Sequence, residues 1–159
     1  MSVTITVKTA QITDYVEKKR ATLIDMLAER IDLVDQMFAD RVRGNLSGGV
    51  LQTQSGKLLS TVMQTPAQIS GNQIYGAVTA GGTDAPYGIY FEEGGTGYYE
   101  IRPINARVLA FMGEGGMIFA KLVNHPPTPK LPWFQPEVDA IRPEMNDQLN
   151  QVFAEVLKP

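Results

Sequence analysis

Cysteine is absent from the 159 residues, histidine and tryptophan occur once each, and no apolar run approaches the length of a bilayer crossing. Without cysteine there is no disulfide, no thiolate nucleophile and no zinc site of the thiolate type. A membrane-spanning helix needs about 20 consecutive apolar residues, so no membrane partner is expected. A basic cluster is lacking as well: 14 Lys+Arg against 17 Asp+Glu leave a net charge of −3. Gripping nucleic acid draws on a cationic face that displaces phosphate counterions, so DNA is expected to be touched in passing at most and not gripped. Lys18-Lys19-Arg20 is the densest basic run, and with Glu17 before it and Asp25 and Glu29 after it the segment reads as a solvated helix face. What remains is an ordinary folding composition, 43% hydrophobic and 19% charged, enough for one packed core and hence a single domain over 1–159.

Catalytic kits fail position by position. Gly56-Lys57 looks like the end of a phosphate-binding loop, but Leu51 stands where the first glycine is needed and Leu58 where Ser or Thr should follow the lysine. Ser47 lies between Leu46 and Gly48 and does not match the nucleophile elbow, which demands glycine two residues to both sides, where Asn45 stands on one. His125 sits in a proline-rich stretch between Asn124 and Pro126. A hydrolase would have to pair it with Ser47, Ser55, Glu92 or Asp84, and a loop-anchoring role is the preferred reading. One histidine leaves only carboxylates for a metal, and the side chains of adjacent Glu92 and Glu93 diverge in a helix or a strand. No enzyme, no metal and no cofactor are therefore expected.

Hydrophobic periodicity supplies the architecture. Asp14 and Glu17 have capping-box spacing, and Val16, Leu23, Leu27, Ile31, Val34, Phe38 and Val42 continue as a helical stripe. Gly44 reads as its left-handed C-terminal cap. A helix of about 30 residues would be near 45 Å long, so it either bends or projects toward a neighbour. The alternation of residues 1–8 predicts a strand rather than a signal peptide. Residues 44–56 read as a mobile polar loop. A hairpin turning at Gly71-Asn72 follows, its second strand over Gln73–Val78, with Pro66 closing the segment before it. Gly81-Gly82-Thr83-Asp84 is a second loop, and three more strands are expected over 98–104, 107–112 and 117–123. Phe134, Val138, Ile141, Met145, Leu149, Val152 and Val156 mark a C-terminal helix, with Pro136 suited to its first turn and Pro143 expected to kink it. The composite is α+β: an antiparallel sheet of about four to five strands packed against a long N-terminal and a C-terminal helix, both on one face.

The second half holds short motifs in a fixed order. Ser55-Gly56-Lys57-Leu58 comes first, then a tyrosine-rich segment with Tyr87, Tyr90, Glu92, Gly95 and Thr96. Ile101-Arg102-Pro103, Leu109-Ala110-Phe111 and Phe119-Ala120 follow, and His125-Pro126-Pro127 leads into Pro132-Trp133-Phe134. Tyr87, Tyr90, Phe91, Tyr98 and Tyr99 form an aromatic patch without the cationic groove that base stacking requires, so they are read as core or subunit interface. In order and spacing the motifs resemble the HK97 gp10-like family of neck and tail-completion proteins of tailed phages. Pro127 in place of the usual glycine, Trp133 beside Phe134, and the extra glycine at Gly94-Gly95 depart from the family pattern.

That resemblance implies a structural virion protein of a phage or prophage, located in the neck or tail and in the host cytoplasm during assembly. It would act as a ring subunit, a hexamer by the symmetry of the tail. Its partners would be further copies of itself, the connector or head-completion protein, and the tail-tube or tail-terminator protein. A tail-terminator or minor tail role on the same fold is the alternative. Gly44, Ser47, Gly48 and Gly49, with Gly81, Gly82, Thr83 and Asp84, are the candidate assembly loops, mobile in the free subunit and ordered by a partner.

Overall fold

A computed structural model describes residues 9–52, 55–95 and 97–158. The strand expected over residues 1–8 and Thr96 of the tyrosine-rich motif lie outside the described residues. The first described element is α1, Thr9–Gly44, 36 residues or about 54 Å of helix. It already runs at Asp14, so the capping-box spacing marks no start there; Glu17 instead lies 3.9 Å from Arg20 one turn on. Gly44 does not stop the helix either. Its φ of −58° is right-handed, and the chain continues as a π-helical turn over Asn45–Gly49. The Ser47 hydroxyl donates to the Arg43 carbonyl, Leu46 is buried, and the reversal waits for Gly48 at φ 120°, a conformation glycine adopts without penalty. The first part of the expected loop is thus helical.

After the one-turn helix α2 (Lys57–Ser60), β1 (Met63–Ser70) and β2 (Gln73–Thr79) form the expected hairpin at Gly71-Asn72. Pro66 does not close a segment; it sits inside β1 where the register slips between Thr65 and Gln68. Proline cannot donate to a ladder, and a bulge is where a strand accommodates it. The bulge turns the Ala67 N–H onto Asp32 of α1 at 2.6 Å, and Gln64 donates to the Asp32 carbonyl at 2.9 Å. Next come a 3₁₀ turn at Gly82–Asp84, α3 (Gly88–Glu93), β3 (Tyr99–Ile101), β4 (Leu109–Gly113), β5 (Gly116–Ala120), β6 (Val123–His125) and α4 (Gln135–Val156).

The element types match the α+β expectation, but the sheet does not. Three separate antiparallel pairs replace it: β1 with β2, β3 with β6, and β4 with β5. The β3–β6 ladder is three residues long, Tyr99–Ile101 against Val123–His125, and it ends close to Pro103 and Pro126, which have no N–H with which to extend it. Nor do the two long helices share a sheet face. Helix α1 packs against the β1–β2 hairpin and also against α4, so it forms the middle layer. Helix α4 runs unbroken through Pro143.

The main core lies against the carboxyl half of α1, while Val152 and Val156 are buried separately toward the end of α4. Val34, Phe38, Ala39 and Val42 meet Leu46, Leu58, Val62, Ala85, Trp133 and Ile141 in a single cluster, with the Phe38 and Phe134 rings edge to face at 5.1 Å. By contrast every residue from Thr9 to Lys18 is exposed. Lys19 reaches the last turn of α4 through the Val156 carbonyl at 2.9 Å, and Arg20 reaches the hairpin tip through Asn72 Oδ1 at 3.3 Å. The basic run therefore latches two neighbours rather than only facing water, and the helix before it projects past both. The chain exposes 11726 Å², whereas a compact monomer of 17.5 kDa exposes about 7900 Å².

Among the described residues Asp35 alone has a buried side-chain polar atom without a partner. Its Oδ2 is buried with no hydrogen-bond partner, pressed beneath β2 where a Cβ on Gly76 would strike that same oxygen. Desolvation first, and then the neighbouring Asp32 charge, raise its pKa above the ordinary carboxylate range. A raised carboxylate favours the folded state below its unfolded pKa and loses that contribution as pH climbs through its folded pKa. Asp35→Asn is accordingly expected to raise the melting temperature at pH 7 and to flatten the decline of stability between acid and neutral pH. Thermal melts of both proteins across that range check this, and parallel pH curves would contradict it.

Candidate functional site

Helix α4 begins without a capping side chain of its own: its N-cap position is Phe134, and Pro132, Trp133, Phe134, Gln135 and Pro136 supply no hydroxyl or carboxylate. The acceptor comes from α3. Glu92 Oε2 accepts from the backbone N–H of Trp133 at 2.8 Å and of Phe134 at 2.9 Å, and Oε1 accepts from Gln135 at 2.8 Å. Pro136 has no N–H to satisfy, and Glu137 and Val138 donate to the Phe134 carbonyl. One carboxylate from 41 residues upstream of Trp133 thus closes the helix start, adding a negative charge where the helix dipole is positive.

The same junction is sewn by backbone and indole. Leu131 N–H donates to Phe91 O at 2.7 Å, and Trp133, 4% exposed, donates its Nε1–H to Gly88 O at 3.1 Å. Gly88 permits the approach, since a Cβ there would stand 2.9 Å from Leu58 Cδ1 and 3.3 Å from the Trp133 ring. Gly95 donates to the Thr128 carbonyl, and a Cβ on it would collide with the Thr128 side chain. Asn45 Nδ2 adds bonds to Trp133 O and Glu137 Oε1, both 3.0 Å, tying in the end of α1.

Beside this clasp lies an apolar groove of about 600 Å³, whose walls include Val50, Leu51, Leu59, Tyr87, Phe91 and Leu131. Gly56 stands at its edge in a left-handed conformation, φ 71°, that starts α2 and sends Leu58 into the core. The structure therefore gathers Gly56, Leu58, Tyr87, Glu92, Gly95, Pro132 and Phe134 around one junction. Tyr90 is on the exposed side of α3. Gly81, Gly82, Thr83 and Asp84 form a separate turn, pinned where the Gly81 N–H meets Thr61 Oγ1 at 2.7 Å.

Pro103, Leu109, Phe111, His125 and Pro126 are not brought to the junction; Leu109, Phe111 and His125 belong to the β4–β5 and β3–β6 ladders, and Pro103 and Pro126 lie just beyond the latter. His125 pairs with Tyr99 across the first of these and stacks on its ring at 4.8 Å and 17°. Its Nδ1 lies 2.7 Å from the Pro126 carbonyl, an acceptor that places the proton on Nδ1. Ser47, Ser55, Glu92 and Asp84 have other partners or surroundings, and none is hydrogen-bonded to it. Among the described residues no three His, Asp or Glu side chains gather where they could hold a metal ion, and no helix is long and apolar enough to cross a membrane.

The capping role of Glu92 went unread in the sequence, although the absence of Ser, Thr, Asp or Asn ahead of an evident helix is a signal that the acceptor must come from elsewhere. Glu92→Ala strands three N–H groups and is expected to lower the unfolding free energy by about 2–4 kcal/mol, with Glu92→Gln, which keeps one acceptor oxygen, costing about half of that. Urea denaturation checks the order; unchanged midpoints would show that the cap is dispensable. Comparison with protein-family models, with curated proteins and with solved structures gives no match to this chain.

Proposed function

We propose that the chain is a structural virion protein of a long-tailed phage or prophage, joining the head connector to the tail or completing the tail as a subunit of a ring. The observation that supports this reading is the way its motifs are used. Of the positions on which the resemblance rests, Gly56, Leu58, Tyr87, Glu92, Gly95, Pro132 and Phe134 meet as a packing clasp around the start of α4, not as nucleophile, base and oxyanion donors. The large exposed surface is of the kind that subunits bury against neighbours. The hydrolase alternative requires His125 within reach of a serine or carboxylate, and its ring is instead occupied by Tyr99 and the Pro126 carbonyl.

Ring membership is tested by mass measurement of the purified chain, alone and mixed with a connector or tail-tube protein encoded beside it. The expected result is a monomer or weak oligomer alone and a closed ring, six-fold by the symmetry of the tail, in the mixture. His125→Ala should leave ring formation within about twofold of wild type, because the residue closes a three-residue ladder at the surface. A chain that stays monomeric with every such partner, or a turnover abolished by His125→Ala with the fold intact, overturns the proposal. A tail-terminator or minor tail role is separated from the neck role by which partner drives closure.

A further inference from the structure

The segment between Gly95 and Thr128 leaves the body at the bond joining those two residues and carries the β3–β6 and β4–β5 ladders, neither of which packs extensively on another element. A lone two-stranded hairpin is at best marginal in water, yet this one displays its apolar residues. In β4–β5, Ala110 pairs with Phe119 and Met112 with Met117, so these four share one face. On it Met112 is 74%, Phe119 67% and Met117 57% exposed; on the opposite face Phe111 and Ile118 are 40% and 43% exposed. Ile104 and Tyr98, in the approach to the hairpin, are 94% and 78% exposed. At about 200 Å² for a fully exposed large side chain, Met112, Met117 and Phe119 present roughly 400 Å² on one face and the seven together roughly 900 Å² over both faces and the approach, against the roughly 800 Å² that one partner contributes to a stable protein interface.

We propose that the β4–β5 hairpin is an arm that docks its Met112–Met117–Phe119 face into the apolar groove of a second copy of this chain, the groove walled by Leu51, Leu59, Phe91 and Leu131. Arm and groove are complementary in shape, one convex and one concave, and alike in chemistry. Among the described residues no other element packs extensively on the arm, and the groove opens to solvent. Methionine suits the docking face, being unbranched and able to fill an irregular wall. A lipid surface is the poorer occupant. The hairpin tip is Gly113-Glu114-Gly115-Gly116, with no cation, and would have to enter first. Because arm and groove are different surfaces, the contact is head-to-tail, and such contacts close into rings or run on as filaments. This rests on the ring reading above only in assigning the arm to closure, and it is tested separately.

The absence of cysteine makes the test clean. Met112→Cys on the arm and Lys57→Cys at the groove rim are prepared as single variants and as the double variant, checked for wild-type melting temperature, and treated with a short bis-maleimide at millimolar protein. Covalent pairs are expected when the two singles are mixed and not from either alone, with a ladder of higher multimers from the double variant. Phe119→Asp should weaken association about tenfold or more with an unchanged melting temperature, as a solvent-facing docking residue requires. Linkage of Met112→Cys to itself indicates edge-to-edge hairpin pairing and overturns the proposal, as does the absence of mixed pairs. Rings that persist with Phe119→Asp and give no mixed link overturn the arm and leave the virion reading standing. Mixed links in a chain that never joins a connector or tail tube do the reverse.

Discussion

The fold depends on one carboxylate reaching across the chain. Helix α4 has an apolar stripe but no capping side chain of its own, and Glu92 supplies three acceptor contacts at its first N–H groups. Held there, Trp133 and Phe134 enter the core, where Phe134 meets Phe38 of α1 edge on and the indole bonds back to α3. The opposite end of α4 is closed the same way with the opposite sign: the Lys19 ammonium lies on the Val156 carbonyl, where the helix dipole is negative. Between these ends Arg41 and Glu144 pair at 2.7 Å, a half-exposed bridge that fixes register more than it adds stability. The helix is therefore clamped by charges that belong to other elements, and its identity as a helix is a tertiary property.

That arrangement explains why the core sits where it does. The close approaches of the junction lie near the carboxyl end of α1: the Gly88 backbone, the Trp133 ring, Leu58 turned inward from the left-handed Gly56. Asn45, immediately past α1, bonds to both the Trp133 carbonyl and Glu137, and continuing the helix past Gly44 is what carries it there. An ending at Gly44 would have withdrawn both that amide and buried Leu46. Toward the other end of α1 the buried Val156 of α4 and the polar latches at Lys19 and Arg20 are the last contacts, and beyond them Ile12, Tyr15 and Val16 stand more than half exposed. A free helical end without packing is marginal; this one persists by continuity with the buried half.

Periodicity made the helices and the hairpins legible, because a 3.6-residue stripe and a two-residue alternation record which side of an element is apolar. The stripe through Val34, Phe38 and Val42 names core residues, and Gly71-Asn72 names a turn. Pairing between hairpins left no such record. Three ladders and one continuous sheet are written with the same alternating residues, and only the prolines at 66, 103 and 126 hinted that edges would go unextended. Caps were misread in both directions, since Asp14 and Glu17 occur inside a helix with capping-box spacing, while the real cap of α4 is remote in sequence. The motifs of the second half were legible as a set, yet only the fold divides them into a junction and an arm.

The division has an energetic side. A two-stranded ladder buries little of its own surface, so residues 98–126 recover little free energy from burial to offset the entropy of ordering the chain. The junction supplies an anchor through Gly95 and Thr128, which fixes where the arm leaves the body without covering its apolar side chains. A large apolar area held on an anchored but uncovered ribbon lowers the ordering cost of association, because strand pairing and turn are already formed, while nearly all of its burial is still to be gained. In the association proposed above, such an element would contribute more to the assembly than to the isolated fold, while the main core beside the carboxyl half of α1 holds its anchor.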